Sequence, residues 1–232
     1  MHRPLPDGEF PRSRGAPVSS LAFEVLEAHV EPFAVQPTIT LELRVTAPEG
    51  LLVHAVALQC QIRIEPQRRR YQEGEADGLV ELFGEPARWG ETMRPFLWTH
   101  VAATLPGFTG STIVELAVPC TYDMEVAGTK YLHALAPDGE IPLLLLFSGT
   151  TFSRESNGAG VTVTPVAWHE DATFRLPVGL WQEMMDRYFP NGGWVTVSRP
   201  VLDSLARFKA RRALATWDQT LEVLLKEAGE DL

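Results

Sequence analysis

The sequence predicts an α+β fold, with an antiparallel, β-rich, sandwich-like body followed by a C-terminal layer of two helices, on three observations. Between Leu21 and Trp168, apolar and polar residues alternate with period two in about nine or ten short segments separated by turn residues. After Leu176 the apolar spacing becomes helical. Residues 1–19 follow neither pattern: they hold four prolines and three arginines and read as a flexible leader, which leaves residues 20–228 as a single domain.

The elements follow in order. Ile39, Leu41, Leu43 and Val45 alternate with Thr40, Glu42 and Arg44, the pattern of a half-buried strand, and Pro48-Glu49-Gly50 turns the chain. The next strand places Val56, Leu58, Cys60, Ile62 and Ile64 on one face and Ala57, Gln59, Gln61, Arg63 and Glu65 on the other, so one face should be wet. A mostly polar connector runs from Glu65 to about Pro95, with Leu79–Phe83 apolar enough for a helical turn or two. Strands resume at Phe96–Thr104 and at Thr112, Val114, Leu116 and Val118. Pro119 belongs at a bulge or edge because it cannot donate to a ladder, and Cys120, Tyr122, Met124 and Val126 continue the parity.

Lys130–Ala136 and Ile141–Thr150 flank Pro137-Asp138-Gly139, which reads as a hairpin because Asp-Gly tolerates positive φ. Asn157-Gly158-Ala159-Gly160 makes a looser turn before Val161–Trp168. Leu180, Trp181, Met184, Met185 and Tyr188 define a helix over 177–189, ended by Pro190-Asn191-Gly192-Gly193. Trp194–Val197 is extended, and Ser198 and Pro200 open a long final helix over 200–227. Its stripe of Leu202, Leu205, Ala206, Ala213, Trp217, Leu221, Leu224 and Leu225 is expected to lie on a sheet face of the same domain.

Thirty acidic against twenty basic residues give a net charge of −10. That balance argues against sequence-independent nucleic-acid binding and against docking to an anionic membrane. The longest apolar run, Ile141–Phe147, is far short of the roughly 20 residues that span a bilayer, and no secretory signal opens the chain, so a cytoplasmic protein is expected. Cys60 and Cys120 lack metal or disulfide spacing and read as reduced core residues; a site combining them with His54, His133 or His169 has no support in spacing. The nucleophile elbow, P-loop, HExxH, EF-hand and dinucleotide patterns are absent, so no catalytic, cofactor or metal residue is assigned and no cofactor is expected. His169-Glu170-Asp171 cannot converge, because consecutive strand side chains diverge.

Two basic clusters stand out. The connector carries Arg68-Arg69-Arg70-Tyr71, then Glu73, Glu75 and Asp77, then Arg88-Trp89; its arginines either pair with its own carboxylates or form a recognition surface of guanidinium forks and rigid aromatics. The last helix places Arg199, Arg207, Lys209, Arg211 and Arg212 before Asp218, Glu222, Glu227, Glu230 and Asp231. The candidate interaction surface is therefore Arg68, Arg69, Arg70, Tyr71, Arg88, Trp89, Arg207, Arg211 and Arg212.

Several runs carry a resemblance: Pro32-Phe33-Ala34 to Pro37, Leu58–Pro66, Arg70-Tyr71, Leu82-Phe83-Gly84, Arg88-Trp89, Phe147–Thr150, and Tyr188-Phe189-Pro190 to Trp194. They resemble an uncharacterised, mainly actinobacterial domain family of unknown function, over nearly the whole chain after the leader. Some members are encoded beside genes of uptake nickel–iron hydrogenases, which implies an accessory or assembly role and supplies no catalytic residue. The function expected is a non-enzymatic, cytosolic, protein-binding accessory factor whose partner is another protein with an acidic surface. The alternatives are a metal-dependent or hydrolytic enzyme with a dispersed site, and a small-ligand-binding sandwich with Trp89 or Trp98 as platform.

Overall fold

A computed structural model describes residues 21–123, 125–155, 158, 160–167, 169–190 and 195–230. The leader over 1–19, Met124, most of the Asn157–Gly160 turn, Trp168, the Asn191–Gly193 helix stop and Trp194 lie outside the described residues. The chain runs β1 (Ala22–Val30), β2 (Thr38–Thr46), β3 (Leu51–Ile64), α1 (Glu73–Phe83), α2 (Trp89–Thr92), β4 (Phe96–Leu105), β5 (Phe108–Thr109) and β6 (Ser111–Pro119). It continues with α3 (Ala127–His133), β7 (Glu140–Glu155), β8 (Thr162–Pro165), β9 (Asp171–Pro177), α4 (Val178–Tyr188), α5 (Arg199–Arg211) and α6 (Trp217–Ala228).

The class is α+β with antiparallel sheets. One sheet has the order β1-β2-β6; the other is built on β4-β3-β7, with β8 and β9 both pairing the far edge of β7 and β5 pairing the start of β3. The alternation in the sequence decides what each strand buries. Ile39, Leu41, Leu43 and Val45 are wholly buried, as are Val56, Leu58, Cys60, Ile62 and Ile64 on one face of β3, while Ala57 and Gln59 face water. One hydrophobic cluster draws on both sheets, and Phe23 of β1 stacks on Phe147 of β7 with ring centroids 4.2 Å apart. α4 sets Trp181, Met184 and Met185 into this cluster. Pro119 ends β6 on an edge of the first sheet, where its missing N–H costs no ladder bond.

Three expectations are corrected. Residues 130–136 are mainly helical, not a strand. Tyr131, Leu132 and Leu135 recur at i, i+1 and i+4 and all three are buried, so Pro137-Asp138-Gly139 joins a helix to β7 rather than two strands. The C-terminal region holds three helices rather than two, because the long final helix breaks at Ala213. That residue takes φ 53°, with Ala213 N–H donating to the Ala210 carbonyl and Leu214 N–H to the Lys209 carbonyl, the paired bonds of a Schellman end. Thr216 then caps α6, its hydroxyl accepting from the Gln219 N–H. Finally, α5 and α6 are not covered by a sheet face: among the described residues nothing after Phe189 belongs to the core cluster, and the two helices pack on each other. No helix among the described residues is long and apolar enough to cross a membrane.

β7 changes its outer partner in mid-strand, pairing β9 through Leu146 and β8 from Thr150. Gly149 sits at the change with φ 138°, and a Cβ there would lie 2.0 Å from the Ala57 carbonyl oxygen of β3. Only glycine fits so close a backbone approach at that φ. Gly149→Ala should therefore lower unfolding stability by at least about 3 kcal/mol in urea titration, whereas Gly90→Ala, at a site with open space around it, should leave it nearly unchanged.

Candidate functional site

The connector is an ordered structure wrapped around one buried ion pair. Pro66–Arg68 forms a short 3-10 turn, and Gln72 caps α1, whose third residue is Glu75. The Gln72 N–H donates to Glu75 Oε2 at 2.8 Å, a capping box that also sets a carboxylate on the positive end of the helix. Glu75 Oε1 accepts from Arg69 Nη2 at 2.6 Å and from the Ala136 N–H at 2.9 Å. Both side chains are enclosed, at 8% and 3% exposure. The Arg69 guanidinium also lies 4.8 Å above the Tyr71 ring. Gly139 makes room for it, since a Cβ there would stand 3.0 Å from Nη2.

A phenol pair closes the other side. The Tyr71 hydroxyl donates to the Pro66 carbonyl at 2.7 Å, so at 2.8 Å it accepts from the Tyr131 hydroxyl of α3. Burial drives both phenols upward from their ordinary range, which keeps them protonated and excludes them as bases near neutral pH. Trp89 meets Tyr71 edge-on at 5.2 Å and donates its Nε1–H to the Gly84 carbonyl. Lys130 of α3 donates to Glu81, a further tie between α3 and α1.

Above this network lies an open groove of about 680 Å³, bordered by Arg68, Arg69, Arg70 and Arg175 and by Asp138 and Glu140. Arg68 Nε is 2.9 Å from Oε2 of the buried Glu65, in an approach that leaves that oxygen without a hydrogen bond of good geometry. Arg175 Nη1 is 3.4 Å from Glu140, with both side chains more than half exposed. Among the described residues, the enclosed Arg69 Nη1 has no hydrogen-bond acceptor and the exposed Arg70 no side-chain partner.

Of the sequence candidates, Arg68 and Arg70 border the groove, whereas Arg69 is not on an exposed surface: it is the buried partner of Glu75. Tyr71 and Trp89 are half-buried supports, and Arg88 is exposed at the start of α2. Arg207, Arg211 and Arg212 belong to a second place, on α5 and its C-terminal cap. Arg207 bonds Ser204, and Arg212 pairs with Glu227 at 2.7 Å while lying over Phe208. Sequence reasoning missed Arg175, Tyr131 and Gly139, whose link to the connector is made only by the fold. Trp98 packs against Gly128. Cys60 and Cys120 are buried, their thiols pushed up to about 12 by burial, and neither joins a group of metal-capable side chains among the described residues.

Removing one member of the Arg69–Glu75 pair strands the other in a dry site. Glu75→Leu and Arg69→Met should each cost about 3–5 kcal/mol in denaturant unfolding, and the double variant much less than their sum.

The sequence matches the model of a family of unknown function, DUF6084, over residues 18–232, and the chain belongs to that family. No curated protein matches it. Among solved structures it is similar to the CARDB domain of a Pyrococcus furiosus protein, at 12% identity and TM-score 0.27 over 73% of this chain and 98% of that one. It is also similar to a late embryogenesis abundant protein, at 13% identity and TM-score 0.28 over 68% of this chain and 72% of that one. A β-glucosidase from Kluyveromyces marxianus follows at 10% identity and TM-score 0.26, over 72% of this chain and 16% of the enzyme. TM-scores this low define neither fold nor ligand.

Proposed function

We propose that the protein is a non-enzymatic, cytosolic accessory factor that holds a partner protein by an acidic segment seated in the arginine-bordered groove. The observation that carries this reading is the gathering of guanidinium groups at one place: Arg68, Arg70 and Arg175 border the groove with exposed side chains, and Arg70 has no ion-pair partner among the described residues. A carboxylate is the complement of a guanidinium fork, and an acidic side chain entering here would satisfy donors that the chain itself leaves open. In this reading the two antiparallel sheets form a sandwich-like scaffold within one domain, and the family resemblance nominates a nickel–iron hydrogenase subunit or its assembly machinery as the partner.

Arg70→Glu combined with Arg175→Glu changes two exposed side chains and should leave the melting temperature nearly unchanged. Binding of a glutamate-rich peptide, followed by fluorescence anisotropy, should weaken by at least about tenfold in this variant and should also weaken with added salt in the native chain. Equal peptide affinity in the two proteins, or an unchanged set of co-purifying proteins, would overturn the assignment.

A further inference from the structure

The α5–α6 pair has an amphipathic surface that no other element among the described residues covers. α5 buries no residue at all and α6 buries only Thr220. Leu205, Phe208, Val223 and Leu224 are half-buried where the helices meet, but Val201, Leu202, Trp217, Leu221 and Leu225 keep 40–48% of their surface exposed. An apolar groove of about 500 Å³ runs along α5 past Val201, Leu205 and Phe208 to Leu224 of α6. Two helices of 13 and 12 residues are too short to hold their shape in water by propensity alone, so their stability comes from apolar packing, of which the contact between them uses only part of the surface.

The charges say what supplies it. α5 with its cap carries Arg199, Arg207, Lys209, Arg211 and Arg212 against Asp203 alone, while α6 carries Asp218, Glu222 and Glu227 against Lys226 alone. Inside the pair, Arg212–Glu227 is the only ion pair joining the two helices, and Arg211, Asp218 and Glu222 have no ionic partner among the described residues. A uniformly acidic or basic partner would meet like charge on one helix. A two-fold contact between identical chains instead requires one patch that carries both signs, so that each α5 faces the other chain's α6.

We infer that the α5–α6 pair is a dimerisation element, and that the apolar surface it leaves exposed, to which α5 contributes Leu202 and α6 Leu221, is covered by the same element of a second copy of this chain. This surface is separate from the arginine-bordered groove, and the inference does not depend on that groove's ligand.

Sedimentation equilibrium of the full chain at micromolar concentrations should return the mass of two chains. Leu202→Glu/Leu221→Glu should return the mass of one, with an unchanged near-ultraviolet dichroism spectrum showing that the sheet core remains folded. Charge reversal separates the two-fold arrangement from any other association. Arg207→Glu/Arg211→Glu on α5 and Asp218→Lys/Glu222→Lys on α6 should each weaken dimerisation when studied alone. An equal mixture of the two charge-reversed chains should restore it as a heterodimer. A single-chain mass for the native protein, a two-chain mass for the leucine variant, or a mixture that stays monomeric would each overturn the inference.

Discussion

The buried pair of Arg69 and Glu75 is the constraint on which the ordering of the connector depends. A segment of this length gives up conformational entropy when it is fixed; Leu79, Phe83 and Met93 offset part of that loss by entering the core, and the polar stretch before α1 has the ion pair instead. Glu75 compensates by gathering donors from three directions: the Arg69 guanidinium, the Gln72 N–H at the start of α1 and the Ala136 N–H beyond α3. Each of these bonds crosses between segments that the chain must bring together. A carboxylate enclosed to this degree persists as an ion only with its lone pairs occupied, so the pair, the helix cap and the α3–β7 turn stand or fall together.

The same pair sorts the arginines that follow one another in sequence. Arg69 turns inward over Tyr71, which sends Arg68 and Arg70 outward on either side of it. One residue thus serves the fold and its neighbours serve the surface, a division that composition could not reveal. The groove inherits rigid walls from this arrangement: Tyr71 is fixed by Pro66 and Tyr131, and β9 brings Arg175 across from a strand more than a hundred positions later. Pre-organised guanidinium groups lose less freedom on meeting a carboxylate than arginines on a mobile loop would.

The strands were legible because period two has one structural reading when Val, Ile and Leu alternate with charge, as in β2 and β3. Of the helices around the connector, α1 was legible only in its Leu79–Phe83 end and α3 was not, and the reasons are physical. Lys130–Ala136 is short enough that Tyr131, Leu132 and Leu135 suit either period, and an Asp-Gly dipeptide usually turns a hairpin. Here Gly139 is selected instead for the space it leaves to Arg69, an event 70 positions away in the chain. The break at Ala213 carries no Gly or Pro to mark it; the backbone enters the left-handed region at an alanine and the stripe continues through it without a gap. For the candidate site, the sequence singled out the connector. It could not tell Arg69 from Arg70, because burial of one and exposure of the other is decided by Glu75, α3 and β9.

Exposure also decides which ion pairs a partner could displace. Arg175–Glu140 joins two side chains that are both more than half exposed, and a pair of that kind contributes about 0–1 kcal/mol under solvent screening, whereas the carboxylate of Arg68–Glu65 is buried and needs its partner. A carboxylate entering the groove would therefore displace the weak contact at Arg175, while Arg68–Glu65 and Arg69–Glu75 stay intact. The Arg175–Glu140 pair then acts as a placeholder that keeps Arg175 oriented. Because the whole chain is net acidic, an acidic partner of the kind proposed would meet repulsion at long range and attraction only close to the arginines that border the groove. At the groove the open donors call for a carboxylate; on α5 the cations lie next to the acids of α6. The two basic clusters thus have different complements, and a partner suited to one is not suited to the other.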